Sequence, residues 1–101
     1  MCEKIYSLDE IRSIAAPIAE QYGVAEMYLL GSYARGEATA ASDLDFRIER
    51  GSIRSLFELS AMYNDLSEGF QKNLDLLTSQ NIEPEFLAAI RPEEVLVYAQ
   101  H

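Results

Sequence analysis

The sequence predicts an α+β domain built in two layers (an α/β two-layer packing), and three observations carry that prediction. Apolar residues recur at three- and four-residue steps over 8–22 and again over 53–66, the period of helices with one buried face. Around them, 25–30 is a short apolar run, while 43–50 and 72–78 alternate as strands with one buried face do. The chain has 101 residues, long enough for one two-layer core and too short for a second binding module, so a single domain is expected. Hydrophobic residues make up 49% and charged residues 25%, the balance of a folded chain rather than a disordered one.

Taken in order, Ser7 and Glu10 form a capping box ahead of Leu8, Ile11, Ala15, Ile18 and Tyr22, which predicts a first helix over 8–22. Pro17 lies inside it, removes one backbone donor and crowds the carbonyl of Ser13, so a kink or two shorter helices meeting near Ala16 are expected. Gly23 ends the helix, and 25–30 is the first strand. The second strand spans 43–50, with Gly51 and Ser52 closing it and capping a helix over 53–66. The apolar face of that helix reads Leu56, Leu59, Tyr63, Leu66 and Phe70, widened by Ile53, Phe57 and Met62, a stripe expected to be core. A third strand over 72–78 puts Leu74 and Leu76 on one face and Asp75 on the other. Pro84 suits the first turn of a short helix through Phe86, Leu87 and Ile90, Pro92 stops it, and Val95 to Tyr98 reads as a short edge strand.

The chemistry concentrates between Gly31 and Asp45, GSYARGEATAASDLD. Gly31 permits a sharp exit from the first strand, and Ser32 fits the N-cap of a short helix whose first N–H donors and positive dipole end suit an anion, with Arg35 adding a full charge. Arg35 can equally pair with Glu37 or Glu49. Asp43, Asp45 and Arg47 share one face of the second strand, and Leu44, Phe46 and Ile48 share the core face. Two adjacent carboxylates repel by roughly 4 kcal/mol at ~4 Å and an effective dielectric near 20, and a hard divalent cation is the usual reason to place them together. Alone, Gly-Ser fits a plain turn and Asp-x-Asp an exposed edge strand; the two motifs in sequence favour a nucleotide phosphate beside its Mg²⁺. If the third strand lies beside the second, Asp75 joins Asp43 and Asp45 on one side.

Gly31, Ser32, Ala34, Arg35, Gly36, Ser42, Asp43 and Asp45 resemble the signature of nucleotidyltransferases of the DNA polymerase β superfamily, and GSYARG with SDLD is most similar to its minimal nucleotidyltransferase (MNT) branch, the MntA-like antitoxins of HEPN/MNT pairs. The resemblance implies a small mixed β-sheet with helices on one face, the polymerase β-like nucleotidyltransferase fold. It also implies transfer of AMP from ATP with two Mg²⁺ ions on Asp43, Asp45 and Asp75, the last in a setting, Asn73-Leu74-Asp75-Leu76, like that of the family's third aspartate. Asp43, Asp45 and Asp75 are the catalytic and metal-binding candidates, and Gly31, Ser32, Arg35 and Ser42 the nucleotide-binding ones. The implied acceptor is a tyrosine of a HEPN-domain ribonuclease toxin. Two other classes stay open: an antitoxin that neutralises by binding alone, and a small-molecule transferase of the aminoglycoside type, against which the lack of a second domain argues.

Composition narrows the partners. Net charge is −9, from 17 acidic and 8 basic side chains without a Lys/Arg cluster, which argues against a nucleic-acid substrate and fits docking on a basic partner protein. The single cysteine, Cys2, leaves no intrachain disulfide and no zinc site, and the absence of a leader pattern or a 20-residue apolar run fits a cytoplasmic protein. His101 is the only histidine, at a chain end, so neither a Cys-His nor a Ser-His-Asp arrangement is expected.

Overall fold

A computed structural model describes residues 4–79 and 82–100 of the chain; the expectations for Cys2 and His101 lie outside the described residues. The order is α1 (Leu8–Tyr22), β1 (Glu26–Leu30), α2 (Gly31–Arg35), β2 (Leu44–Glu49), α3 (Leu56–Phe70), β3 (Leu74–Thr78), α4 (Pro84–Ile90) and β4 (Val95–Ala99). The four strands form one mixed sheet in the order β3-β2-β1-β4. β1 runs antiparallel to β2 and β4, and β2 is parallel to β3, the pair whose crossover connection is α3.

One face of the sheet is dry. Leu44, Phe46 and Ile48 of β2 are fully buried with Met27 and Leu29 of β1, against Ile11, Ala15 and Ala19 of α1 and Met62, Leu66 and Phe70 of α3. Small residues let the two long helices approach: a Cβ on Gly69 would come within 2.9 Å of Ile14 Cγ2. Tyr22 donates to Asp65 across the same contact at 2.6 Å, and the Tyr6 ring meets Phe70 edge-on at 5.1 Å. This is the expected two-layer packing, with the two long helices on one face.

α1 begins on the capping box and ends on Gly23 in the left-handed conformation, as its sequence predicts. Pro17 does not divide it: 8–22 is one helix, held on both sides of the proline by the buried Ile11, Ala15 and Ala19. α3 differs more from expectation. Its cap is Ser55, which accepts from the Glu58 N–H at 3.2 Å, and not Gly51-Ser52. Starting three residues late and running to Phe70, it buries Met62, Leu66 and Phe70 and leaves Leu56 79% and Phe57 88% exposed. The apolar stripe is core only in its C-terminal half, where α1 faces it.

Candidate active site

The other face of the sheet carries the charges. In the parallel register of β2 and β3, Asp45 lies opposite Asp75, and on its other side Asp45 pairs with Leu30 at the end of β1. Asp45 is therefore on the central rung, between the Leu30-Gly31 junction and Asp75. The condition set by the sequence, that the third strand lie beside the second, is met by this register.

Gly31 is positioned by contact as well as by conformation. Its φ of +70° falls in the left-handed region, and a Cβ there would lie 2.6 Å from Asp45 Oδ2. No other residue type lets the backbone turn from β1 into α2 while resting against that carboxylate. α2 itself starts at Gly31 with Leu30 as its N-cap and no side-chain cap, so Ser32 is the second residue of the helix and not the capping residue expected. Its carbonyl accepts from Glu37 N–H at 2.8 Å, closing the turn at Gly36.

The Asp45 and Asp75 carboxyls come within hydrogen-bonding reach of one another across the strand pair. Partial burial, that contact, the Asp75 charge and the Asp43 charge together push the Asp45 carboxyl up to about 6. Asp43 stands just ahead of β2, is exposed, and lines a separate cleft with Lys72 and Asn73. Among the described residues, no three His, Cys, Asp or Glu side chains are grouped closely enough to hold a metal ion. The structure thus joins Asp45 with Asp75 and keeps Asp43 within electrostatic reach of Asp45 without closing a triad. Two hard, anionic oxygen donors left facing each other still suit Mg²⁺, which takes one or two protein carboxylates and draws its remaining ligands from phosphate and water.

Arg35 is half-exposed, donates to Glu37 at 3.0 Å and lies 4.0 Å from Glu93. Its pairing with Glu37, one of the two alternatives open in the sequence, is the one observed; Glu49 belongs to a different cluster. Ser42 accepts from Thr39 N–H at 2.9 Å, holding the turn that leads into β2. A cavity of about 410 Å³ gathers Gly31, Arg35, Asp45 and Asp75 with Leu77 of β3 and with Phe86 and Ile90 of α4. α4 thus borders the charged face of the sheet, opposite the two long helices.

Sequence reasoning placed Arg47 on this face and assigned it nothing. It is 1% exposed, with Nε and Nη2 donating to the Glu94 carboxylate at 2.9 and 2.8 Å and Nη1 donating to Glu49 at 2.6 Å and Ser79 at 2.5 Å. Its guanidinium also stacks 4.4 Å from the centre of the Tyr28 ring. Burial works against the charge, but the hydrogen bonds and charges of Glu94 and Glu49 outweigh it and raise the Arg47 pKa. Only the alternation of polar residues at 45, 47 and 49 pointed to this cluster; its main partner lies 47 residues away.

No helix among the described residues is long and apolar enough to cross a membrane. Compared with known proteins, the chain is 30% identical over 95 residues to the protein adenylyltransferase MntA of Thermococcus cleftensis, covering 90% of this chain and 96% of that one. Its fold matches a chain in the crystal structure of a toxin-antitoxin with AMP-PNP (TM-score 0.73, 15% identity, 92% of this chain and 75% of that chain). It also matches a chain in the structure of a tri-AMPylated Shewanella oneidensis HEPN toxin in complex with MNT antitoxin (TM-score 0.70, 10% identity, 92% and 73%). Residues 11–97 match the nucleotidyltransferase domain family, and with a central strand that offers Asp45 to Asp75 beside Gly31, the chain belongs to that family.

Proposed function

We propose that this protein moves AMP from ATP to a hydroxyl of a partner protein, specifically a tyrosine of a HEPN-type toxin, and so acts as an antitoxin, with 1–101 working as one catalytic domain. The observation that carries the reading is the Asp45–Asp75 contact across two parallel strands, against the Gly31 backbone. Support for the acceptor class comes from the MntA relative, named a protein adenylyltransferase, and from the AMPylated HEPN toxin in the structural match. A net charge of −9 favours a basic partner surface.

In this reading Asp45 and Asp75, joined by Asp43 once a nucleotide is bound, hold Mg²⁺, with two ions expected. Bound there, the metal offsets phosphate charge and lowers the pKa of the attacking hydroxyl. Gly31 and Ser32 offer backbone N–H groups to the β- and γ-phosphates, and Ser42, whose hydroxyl lies 3.4 Å from that of Thr39, stands at the entrance to β2. The acceptor oxygen attacks the α-phosphorus in line, the bond from that phosphorus to the bridging oxygen breaks, and pyrophosphate leaves. Asp75, the more exposed of the pair, takes the acceptor proton. Arg35, released from Glu37, meets the charge of the departing pyrophosphate.

The test is to supply the protein and a HEPN-type partner with ATP labelled at either the α- or the γ-phosphate. Label on the partner from α-labelled ATP alone is the expected result; γ-label on the partner would make the protein a kinase and overturn the assignment. One observation favours a second reading, neutralisation by binding alone: Asp43 faces a separate cleft, and the described residues contain no ready three-ligand group. Under that reading neither label moves and protection persists.

A further inference from the structure

The helix side of the sheet holds a polar group that the fold leaves without a partner. Thr78 ends β3 and alternates with Leu74 and Leu76, which puts it on the face covered by α1 and α3, away from Asp75 and Leu77. It is 3% exposed, and among the described residues its Oγ1 is the one fully buried side-chain nitrogen or oxygen that makes no hydrogen bond. A hydroxyl buried in this way is unfavourable and calls for a partner from outside the chain. Thr78 lines a cavity of about 230 Å³ at the C-terminal ends of the parallel strands β2 and β3, where the crossover into α3 begins. Arg50 and Arg54 of the crossover line it too, with Ser55 and Leu56, the N-cap and first residue of α3.

We propose that this cavity binds a phosphate-class oxyanion, at a site separate from the Asp45–Asp75 pair. Leu56 opens a helix of 15 residues, so its N–H has no acceptor within the helix and sits at the positive end of the dipole. Arg54 is exposed and has no ion-pair partner among the described residues; Arg50 is half-buried. Two of the chain's eight basic side chains thus line one small cavity in a chain of net charge −9, and no carboxylate is among the described lining residues. Glu58, the acidic residue of the first turn of α3, is not one of them. Donors drawn from strand, crossover and helix suit a tetrahedral anion with three or more oxygens better than a two-oxygen carboxylate. A cavity of about 230 Å³ falls below the roughly 300 Å³ at which pockets for drug-sized ligands begin, so the ligand is a free phosphate ion or the phosphate end of a small ester. Asp75 and Thr78 are three residues apart, about 10 Å along β3, and lie on opposite faces of the sheet. An anion held here does not touch the Asp45–Asp75 pair, and its binding does not depend on AMP transfer.

The experiment titrates the metal-free protein with inorganic phosphate, with glycerol phosphate and with acetate at constant ionic strength, following backbone amide resonances and melting temperature in wild type, Arg54→Ala and Thr78→Val. Phosphate should shift the amides of residues 55–57 and raise the melting temperature of wild type. Arg54→Ala should bind it about tenfold more weakly, the loss expected for one charged hydrogen-bond donor. Thr78→Val keeps the shape of the side chain and removes the partnerless oxygen, so without phosphate it should melt at least as high as wild type and with phosphate gain less, a split that a purely structural threonine would not produce. Tighter binding of glycerol phosphate assigns the site to phosphate esters and tighter binding of phosphate to the free ion; either supports the site. Acetate bound as tightly as phosphate overturns the ligand class. Absence of phosphate binding, resonance shifts confined to residues 31–35, or equal phosphate affinity in wild type and both variants overturns the site itself.

Discussion

Two neighbouring rungs of the β2–β3 ladder treat charge in opposite ways. On the rung of Arg47 a cation is buried, and each of its three nitrogens finds a partner: two donate to Glu94 and one to both Glu49 and Ser79, with the plane covered by Tyr28. On the rung of Asp45, one repeat away on the same face, two carboxyl groups meet with no cation between them, and burial together with the neighbouring Asp75 raises the Asp45 pKa. The first arrangement is complete within the chain. It ties β2 to the segment between α4 and β4 and brings Glu93, the neighbour of Glu94, to the mouth of the cavity. The second is incomplete: it stores like-charge repulsion that an incoming cation would relieve. The difference separates a charge used to build from a charge held ready to bind.

Breaking the second rung should have the largest effect, and on chemistry alone. Asp45→Asn keeps the volume of the side chain and leaves the core contacts of β2, which come from Leu44, Phe46 and Ile48, untouched. Transfer of α-label should fall by roughly three orders of magnitude or more, as expected when a metal-binding carboxylate becomes a neutral amide. Stability of the metal-free protein should hold or rise. If Asp45→Asn protects cells from a HEPN-type partner as well as wild type does, the proposed neutralisation proceeds by binding.

Breaking the first rung should reverse that pattern. Arg47→Ala strands the Glu94 carboxylate, whose side chain is only 9% exposed, and should cost about 3 to 5 kcal/mol in urea unfolding, the range for halving a buried ion pair. Arg47→Lys keeps the charge but not the fork to Glu94, so its loss should be smaller. A change below about 1 kcal/mol in Arg47→Ala would mean that the cluster is wetter than its burial indicates.

A finer distinction comes from pH. Because Asp45 titrates near 6 in the folded chain against an ordinary 3.8, the folded state binds more protons between those values. Stability of the metal-free protein should therefore fall as pH rises through about 4 to 6 and level off above. Allowing for solvent screening at a partly exposed site, the drop should be on the order of 1 kcal/mol. Asp45→Asn should lack it, so the two melting curves should agree near pH 4 and diverge by pH 7. Glu49 adds a component of opposite sign: partial burial raises its pKa, but the hydrogen bonds of Ser79 and Arg47 outweigh this and hold it below its usual value. That contribution is present in both proteins and is lost as pH falls through the folded pKa. Curves that stay parallel from pH 4 to 7 would place Asp45 in ordinary solvent.

What the sequence determined by itself is local. The capping box and Gly23 bound α1 to the residue, and Pro84 and Pro92 bracket α4, because caps and prolines act within one turn of the chain. The alternation in β2 assigned Leu44, Phe46 and Ile48 to the core, as the two-residue strand period requires, while Gly-Ser and Asp-x-Asp named candidates of which the structure brings Gly31 and Asp45 together and leaves Asp43 in a separate cleft. Tertiary structure decided what those residues meet. The face of Asp75 was legible, but its place opposite Asp45 depends on a parallel pairing that no local signal sets. Leu56 and Phe57 fit the helical stripe yet stand in solvent, because burial requires a neighbouring element and α1 covers only the far half of α3. Arg47 reads as one more polar residue on an exposed face; it is buried because Glu94, after α4, folds back to neutralise it, and such compensation over long sequence separations exists only once the chain has folded.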